Sequence, residues 1–407
     1  SAAEEWEGRE IAMTDGIVRL SGEDFEAAMD FLNSVFGEHA PHDFEGLLPS
    51  IYRRTDEHMA CNYAVRRDGA IKAVVGMFPI NWQVAEVTLR VAGIGGVSTH
   101  PECRGQGLMQ RLMKHCVTAM TQQGYHLSWL GGQRQRYLYF GYEKCGTSLY
   151  FTMNRSNIRH GFDDEPGVRF LRIGREEEAW TKSTSAERGG LLRRAKELHD
   201  DQAMHCERPL KDFHRFCASW RHQLWAAENE AGEMVGYLVA DKEGTFVPEL
   251  MARSPDEALR MVRAWITEGG KEGVSLDMSP VNNVSRDLAR YCEQTSVRPS
   301  GNWQVLRWAE VVDALMKVQQ QSKAGLVEGK VVVGIEGYGA IALVVTDGEA
   351  RCARTEEEPQ VSCDPATCMR LLFGPLAPSQ VIDLPQPAAM LESWCPLPLY
   401  WARQDGV

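Results

Sequence analysis

Three stretches of the 407-residue chain predict a mixed α/β fold of the α+β kind. Two alternating runs, 62–67 and 71–83, meet at Asp68 and Gly69, a pair that favours a tight hairpin because both positions tolerate positive φ. A further extended run, 87–99, feeds a small-residue loop, Arg104 Gly105 Gln106 Gly107, and an apolar stripe at helical spacing begins at Leu108. After Gly124 a buried strand is expected over 125–130, so one helix crosses over beside an antiparallel half.

The remaining elements follow in order. Met13 is a candidate natural start, and residues 1–12 are left out of the fold. A short strand at 17–20 precedes Ser21, a helix cap, and Phe25, Ala28, Met29, Leu32, Val35 and Phe36 repeat at helical spacing up to Gly37. A loop with His39, His42 and Asp43 leads to a second helix over 44–52. In the strand at 87–99, Gly93, Gly95 and Gly96 predict a bulge or a close backbone approach by a ligand. The helix from Leu108 carries Leu112, Met113, Cys116, Val117 and Met120 on one face. Residues 134–141 form a short helix or turn containing Tyr137, and a strand over 146–153 is expected to close the first unit.

Residues 155–308 repeat that order with different chemistry. A hairpin over 224–240, an extended run ending near Met251, a helix at 255–267 and a strand at 274–278 read as a degenerate second copy. Its loop carries Asp256 and Glu257 where the first has glycines, and those acids cap a helix and repel phosphate. Residues 309–407 hold a helix at 310–319, strands at 330–336 and 339–346, a helix from Asp364 with Met369, Leu372 and Phe373 on its apolar side, and the tail LPLYWARQDGV.

Composition excludes several classes. Apolar and charged fractions of 43% and 25% are those of an ordinary globular protein, and no window holds the roughly 18 uninterrupted apolar residues of a membrane span. The first residues have the wrong charge for a signal peptide, so a cytoplasmic location without membrane partners is expected. A net charge of −12 argues against nucleic acid. Twelve Asp or Glu face two Lys or Arg among residues 1–50, which favours a cationic partner. Eleven scattered cysteines without a CxxC pair indicate buried thiols rather than disulfides or a metal site.

The stretch VSTHPECRGQGLMQRL reads as strand, phosphate loop and helix. A pyrophosphate needs several N–H donors converging without intervening side chains, which Gly105 and Gly107 permit, and the helix dipole adds favourable charge. From this stretch to YLYFGYE the sequence resembles the acetyl-CoA-binding core of the GNAT N-acetyltransferases. Arg104, Gly107 and Met109 occupy the places of the family loop, with Met109 standing where a small residue is usual. Over nearly the whole chain the layout resembles the Eis-like branch: a catalytic GNAT domain at 13–154, a degenerate GNAT-like domain at 155–308 and a sterol-carrier-protein-like domain at 309–407.

The resemblance implies acetyl-CoA as cosubstrate, no metal, a small-molecule amine such as an aminoglycoside or polyamine as acceptor, and a homo-oligomer, a hexamer in that branch. It places the cofactor on the backbone of Val97, Ser98 and Thr99, paired as an added strand would be, and on Arg104, Gly105, Gln106, Gly107, Leu108 and Met109. Tyr137 matches the family tyrosine that protonates the departing thiolate, a task open to a phenol of pKa about 10. The branch also implies the C-terminal carboxylate, here Val407, as base, with His39, His42, Glu38 and Asp43 as alternatives. Glu38, Asp43 and Trp82 are candidate acceptor-binding residues. Two other functions stay open: a protein or peptide lysine acetyltransferase, and a non-enzymatic sensor of acyl-CoA or lipid.

Overall fold

The computed structural model of the chain describes residues 16–37, 42–174, 185–282, 284–323 and 325–407. Its first sheet starts at strand β1 (Ile17–Arg19), which pairs antiparallel with β2 (Asn62–Arg67). Strands β2 and β3 (Ala70–Val84) turn at Asp68 and Gly69, whose φ angles of +52° and +78° explain that pair of residues. Strand β4 (Val87–Thr99) continues the antiparallel half.

Between β1 and β2 lies helix α1 (Phe25–Phe36), which buries Phe25, Ala28, Met29, Phe31 and Leu32. The helix expected over 44–52 is shorter: α2 (Phe44–Leu47) stops before Pro49, whose ring and missing N–H oppose continuation, and a separate turn, α3 (Asp56–Met59), follows. Helix α4 (Leu108–Gln122) packs Leu108, Leu112, Met113, Cys116, Ala119 and Met120 on the sheet. It returns the chain to β5 (Leu127–Leu130), which lies parallel to β4. The short helix α5 (Arg134–Tyr137) and strand β6 (Glu143–Cys145) complete this stretch.

One expectation is overturned at the far edge. The strand expected to close the first unit, β7 (Ser148–Asn154), pairs instead with Gly273–Met278 and Gln294–Arg298 in a different sheet. Its place beside β5 and β6 is taken by Gly301–Val305, and Met204–Cys206 adds to β3. Trp303 explains the choice: it is fully buried, with Trp82 and Trp401 at ring-centroid distances of 6.1 and 5.6 Å. Alternation marks a strand; long-range packing selects its neighbour.

In the middle of the chain, the strands Val168–Ile173, Gln223–Asn229, Met234–Ala240 and Glu249–Ala252 form an antiparallel sheet under the helix Pro255–Thr267. Towards the end, the helix Trp308–Ser322 covers a sheet of Gly329–Ile335, Gly339–Thr346, Glu349–Thr355 and Val361–Cys363. The apolar side of that unit is continuous with Trp82, Val91, Leu127 and Trp303 of the first sheet, so both share one core. All eleven cysteines are free. Among the described residues, no helix is long and apolar enough to cross a membrane.

Candidate active site

Strand β4 carries the site because its two edges have different fates. Towards β3 it is paired along its length, with a bulge at which Gly76 faces Gly95 while Val74 faces Ser98. Towards β5 the pairing ends at Ile94 with Leu130. Among the described residues no strand continues it on that edge, and the backbone of Gly95–Thr99 borders a groove. The sequence reading of Gly93, Gly95 and Gly96 anticipated a bulge or a close approach by a ligand; the bulge occurs, and Val407 of the same chain approaches Gly93 and Gly95.

The groove measures about 730 Å³ and is lined by Val35 and Phe36 of α1, by Val97, Ser98 and Thr99, by Cys103, Arg104, Gly105 and Gly107 of the loop, by Leu108, Met109 and Gln110 of α4, and by Arg136. Gly105 and Gly107 hold φ angles of +77° and +75°, and a side chain added at either would meet only open space. Positive φ requires glycine there, and the same absence of side chains bares the loop amides. Helix α4 has no side-chain cap, so its first amides face the groove without a competing acceptor from Gly107. Gln106 is held by Arg67 and by the Glu102 carbonyl. Arg104 and Arg136 both line this space, which suits a polyanion.

The other expected residues fall in distinct places. Ser98 is buried, and its hydroxyl donates to the Gly96 carbonyl at 3.0 Å. Met109 packs partly against the α4 core and also lines the groove. Tyr137 is 6% exposed and shares a core cluster with Ile94, Leu108, Leu112 and Leu130. Burial pushes its phenol pKa up and Arg136 opposes this, the net shift being upward, so the hydroxyl stays protonated at neutral pH.

Val407 lies against the opposite face of β4. A methyl group placed on Gly95 would lie 2.7 Å from its carboxyl carbon, and one on Gly93 would lie 2.8 Å from its side chain. Because successive residues of a strand face opposite sides, Gly93 and Gly95 present the Val407 side while Ile94 presents the Tyr137 side. The carboxyl group and the phenol therefore flank the end of the β4–β5 pairing from two directions.

Among the described residues, the candidate acceptor residues Asp43 and Trp82 do not converge. Asp43 caps α2 by accepting from the Gly46 amide and pairs with Arg221 at 3.2 Å, so its charge is partly engaged. His42 stacks on Phe44, with ring centroids 6.0 Å apart. Glu38 and His39 lie outside the described residues. Trp82 is 2% exposed inside the tryptophan cluster, away from the groove. Among the described residues no group of three or more His, Cys, Asp or Glu is placed to hold a metal ion.

Sequence reasoning missed Arg136, although it adjoins Tyr137, and missed the anchoring of the tail. The Trp220 indole donates to the Arg403 carbonyl, and the Gln404 amide donates to the carbonyls of Phe216, Cys217 and Ser219. Arg208 pairs with Asp405. No local pattern announces contacts that span nearly two hundred positions.

Comparison with known proteins agrees with this geometry. Residues 17–145 match the family model of the acetyltransferase (GNAT) domain. A comparison with curated proteins gives no match. A GCN5-related N-acetyltransferase from Kribbella flavida shares the fold at 18% identity and a TM-score of 0.64, over 93% of this chain and 95% of that one. Eis1 from Mycobacterium abscessus shares it at 14% identity and a TM-score of 0.65, over 97% and 100%. A probable N-acyltransferase from Enterococcus faecalis V583 does so at 13% and 0.66, over 95% and 98%. At these identities the likeness is one of fold. With the groove, the loop and the family match all falling in the same sheet, the match of residues 17–145 to the acetyltransferase (GNAT) domain supports an N-acetyltransferase.

Proposed function

We propose that the chain moves the acetyl group of acetyl-CoA to a primary amine of a cationic small molecule, aminoglycoside-like or polyamine-like. The observation that carries this reading is the open edge of β4, flanked on one face by the Val407 carboxyl group and on the other by Tyr137. The pantetheine amides pair with the free backbone edge of Val97, Ser98 and Thr99, and the pyrophosphate rests on the loop amides beside Arg104. The carboxylate of Val407 draws a proton from the attacking amine, and Tyr137 returns one to the departing thiolate. A net charge of −12 favours a cationic acceptor by long-range attraction.

The division into a catalytic unit at 13–154, a degenerate copy at 155–308 and a sterol-carrier-like unit at 309–407 belongs to the same proposal. The second copy is supported by the reciprocal strands, β7 given to one sheet and Gly301–Val305 given to the other. The last sheet's inner face is filled by Val331, Val333, Ile341 and Leu343, which favours a structural role over a lipid sensor.

Thiol release from acetyl-CoA across a panel of aminoglycosides, polyamines and lysine peptides tests the acceptor class. Turnover on the cationic small molecules is expected. Turnover confined to peptides would support the lysine acetyltransferase alternative, and CoA binding without turnover on any amine the sensor. Gly107→Val is expected to raise the KM for acetyl-CoA roughly tenfold to a hundredfold, since positive φ at a branched residue costs about 1–3 kcal/mol. Deleting Val407 moves the terminal carboxylate back to Gly406 and is expected to lower kcat by roughly 10²-fold while acetyl-CoA binding persists, the range usual for a misplaced reacting group. Unchanged kinetics would exclude that carboxylate.

A further inference from the structure

We infer that Arg208 is a positioning residue for acetyl transfer, setting the place of the Val407 carboxyl group through Asp405. This rests on the reading of that carboxyl as the base. The Arg208 side chain is fully buried, and it is held by two carboxylates that are themselves buried. Its Nη1 and Nη2 donate to Glu249 at 2.9 Å each, and its Nε and Nη2 donate to Asp405 at 2.8 and 3.0 Å. Tyr237 donates its hydroxyl to Glu249 at 2.8 Å, which fixes the far end of the clamp.

The clamp joins three parts of the chain at one point. Arg208 follows the strand Met204–Cys206, which pairs with β3 of the catalytic sheet, while Glu249 begins a strand of the middle sheet. Asp405 stands two residues before Val407. Only Gly406 intervenes, and a methyl group on it would lie 3.4 Å from both Trp129 and Trp220, so this short link is hemmed in. With consecutive Cα atoms about 3.8 Å apart, a shift at Asp405 reaches Val407 with little slack to absorb it. Replacing a buried ion pair by apolar residues is often neutral or stabilising, so stability alone is a poor reason for this cluster, whereas fixing a geometry is a good one. The middle sheet thus holds the tail of the chain against the glycines of β4.

The test compares Asp405→Asn, Gln404→Ala and deletion of Val407, alone and combined, by kcat, by KM for acetyl-CoA and by thermal midpoint. Asp405→Asn leaves Arg208 paired with Glu249, so it loosens the tail without stranding the buried cation. We expect it to lower kcat about tenfold or more, since displacement of a reacting group by about 1 Å can cost a hundredfold, with KM for acetyl-CoA within about twofold. In the chain lacking Val407, the same substitution should have no further effect on kcat. An equal loss in both backgrounds would mark a purely structural role and overturn the inference. If Asp405→Asn folds poorly, Gln404→Ala carries the same comparison, because it frees the tail from three carbonyls without touching the clamp. A harmless Asp405→Asn beside a slow deletion variant sinks the positioning role alone. Unchanged kinetics on deletion sinks the base assignment and this inference with it.

Discussion

Tyr137→Phe is expected to lower kcat by roughly 10²- to 10³-fold while leaving the KM for acetyl-CoA nearly unchanged, the range usual for a lost general acid. The substitution removes one oxygen and keeps the ring. That ring fills its place beside Gly132, where an added methyl group would lie 3.0 Å from it, and among Leu112 and Leu130 of the core, so the fold should survive. Burial raises the phenol pKa, with Arg136 as the opposing influence. The acid is therefore protonated throughout the neutral range, and any high-pH limb it contributes lies above the ordinary tyrosine value of about 10. The Phe variant should lack that limb. Steady-state kinetics with the best amine decides the matter: wild-type turnover in Tyr137→Phe would show that another group protonates the thiolate.

Arg208→Ala is expected to destabilise the protein by about 3–5 kcal/mol, because it leaves two buried carboxylates facing each other without a cation. The contribution of Glu249 to the pH dependence should change sign as well. Burial alone pushes the Glu249 carboxyl up, but the Arg208 guanidinium outweighs this and holds its pKa below the usual value. A depressed folded pKa contributes stability above the unfolded carboxylate pKa of about 4.3, and that stability is lost as the pH falls through the folded value. Without Arg208 the burial outweighs what the Tyr237 hydroxyl and His199 still contribute, the folded pKa rises above the unfolded one, and stability is lost as the pH climbs through the raised value. Urea unfolding in acid and at neutrality measures both slopes. A stability difference between wild type and variant that does not grow with pH across the acidic range would show that Glu249 does not depend on Arg208.

Much of the first sheet and its crossover helix was legible because their signals are local. Asp68 and Gly69 turn a hairpin with φ positive at both residues, and Gly105 and Gly107 adopt the left-handed conformation that only glycine takes without strain. The stripe from Leu108 to Met120 buries the face its spacing marks. Trp82 was harder to place: an indole on an alternating strand looks the same whether it faces a ligand or, as here, Trp303 and Trp401. Asp43 presents the same problem, since nothing near it announces Arg221.

By itself the sequence determined most of the elements, their turns and the glycine loop before α4, because backbone conformation answers to residues a few positions apart. Tertiary structure alone decided that β7 leaves the first sheet for another and that Gly301–Val305 replaces it. It alone decided that the glycines of β4 receive Val407. Those outcomes depend on contacts such as Arg208 with Asp405, 197 residues apart, whose energy exists only once both carboxylates and the guanidinium have been withdrawn from water together.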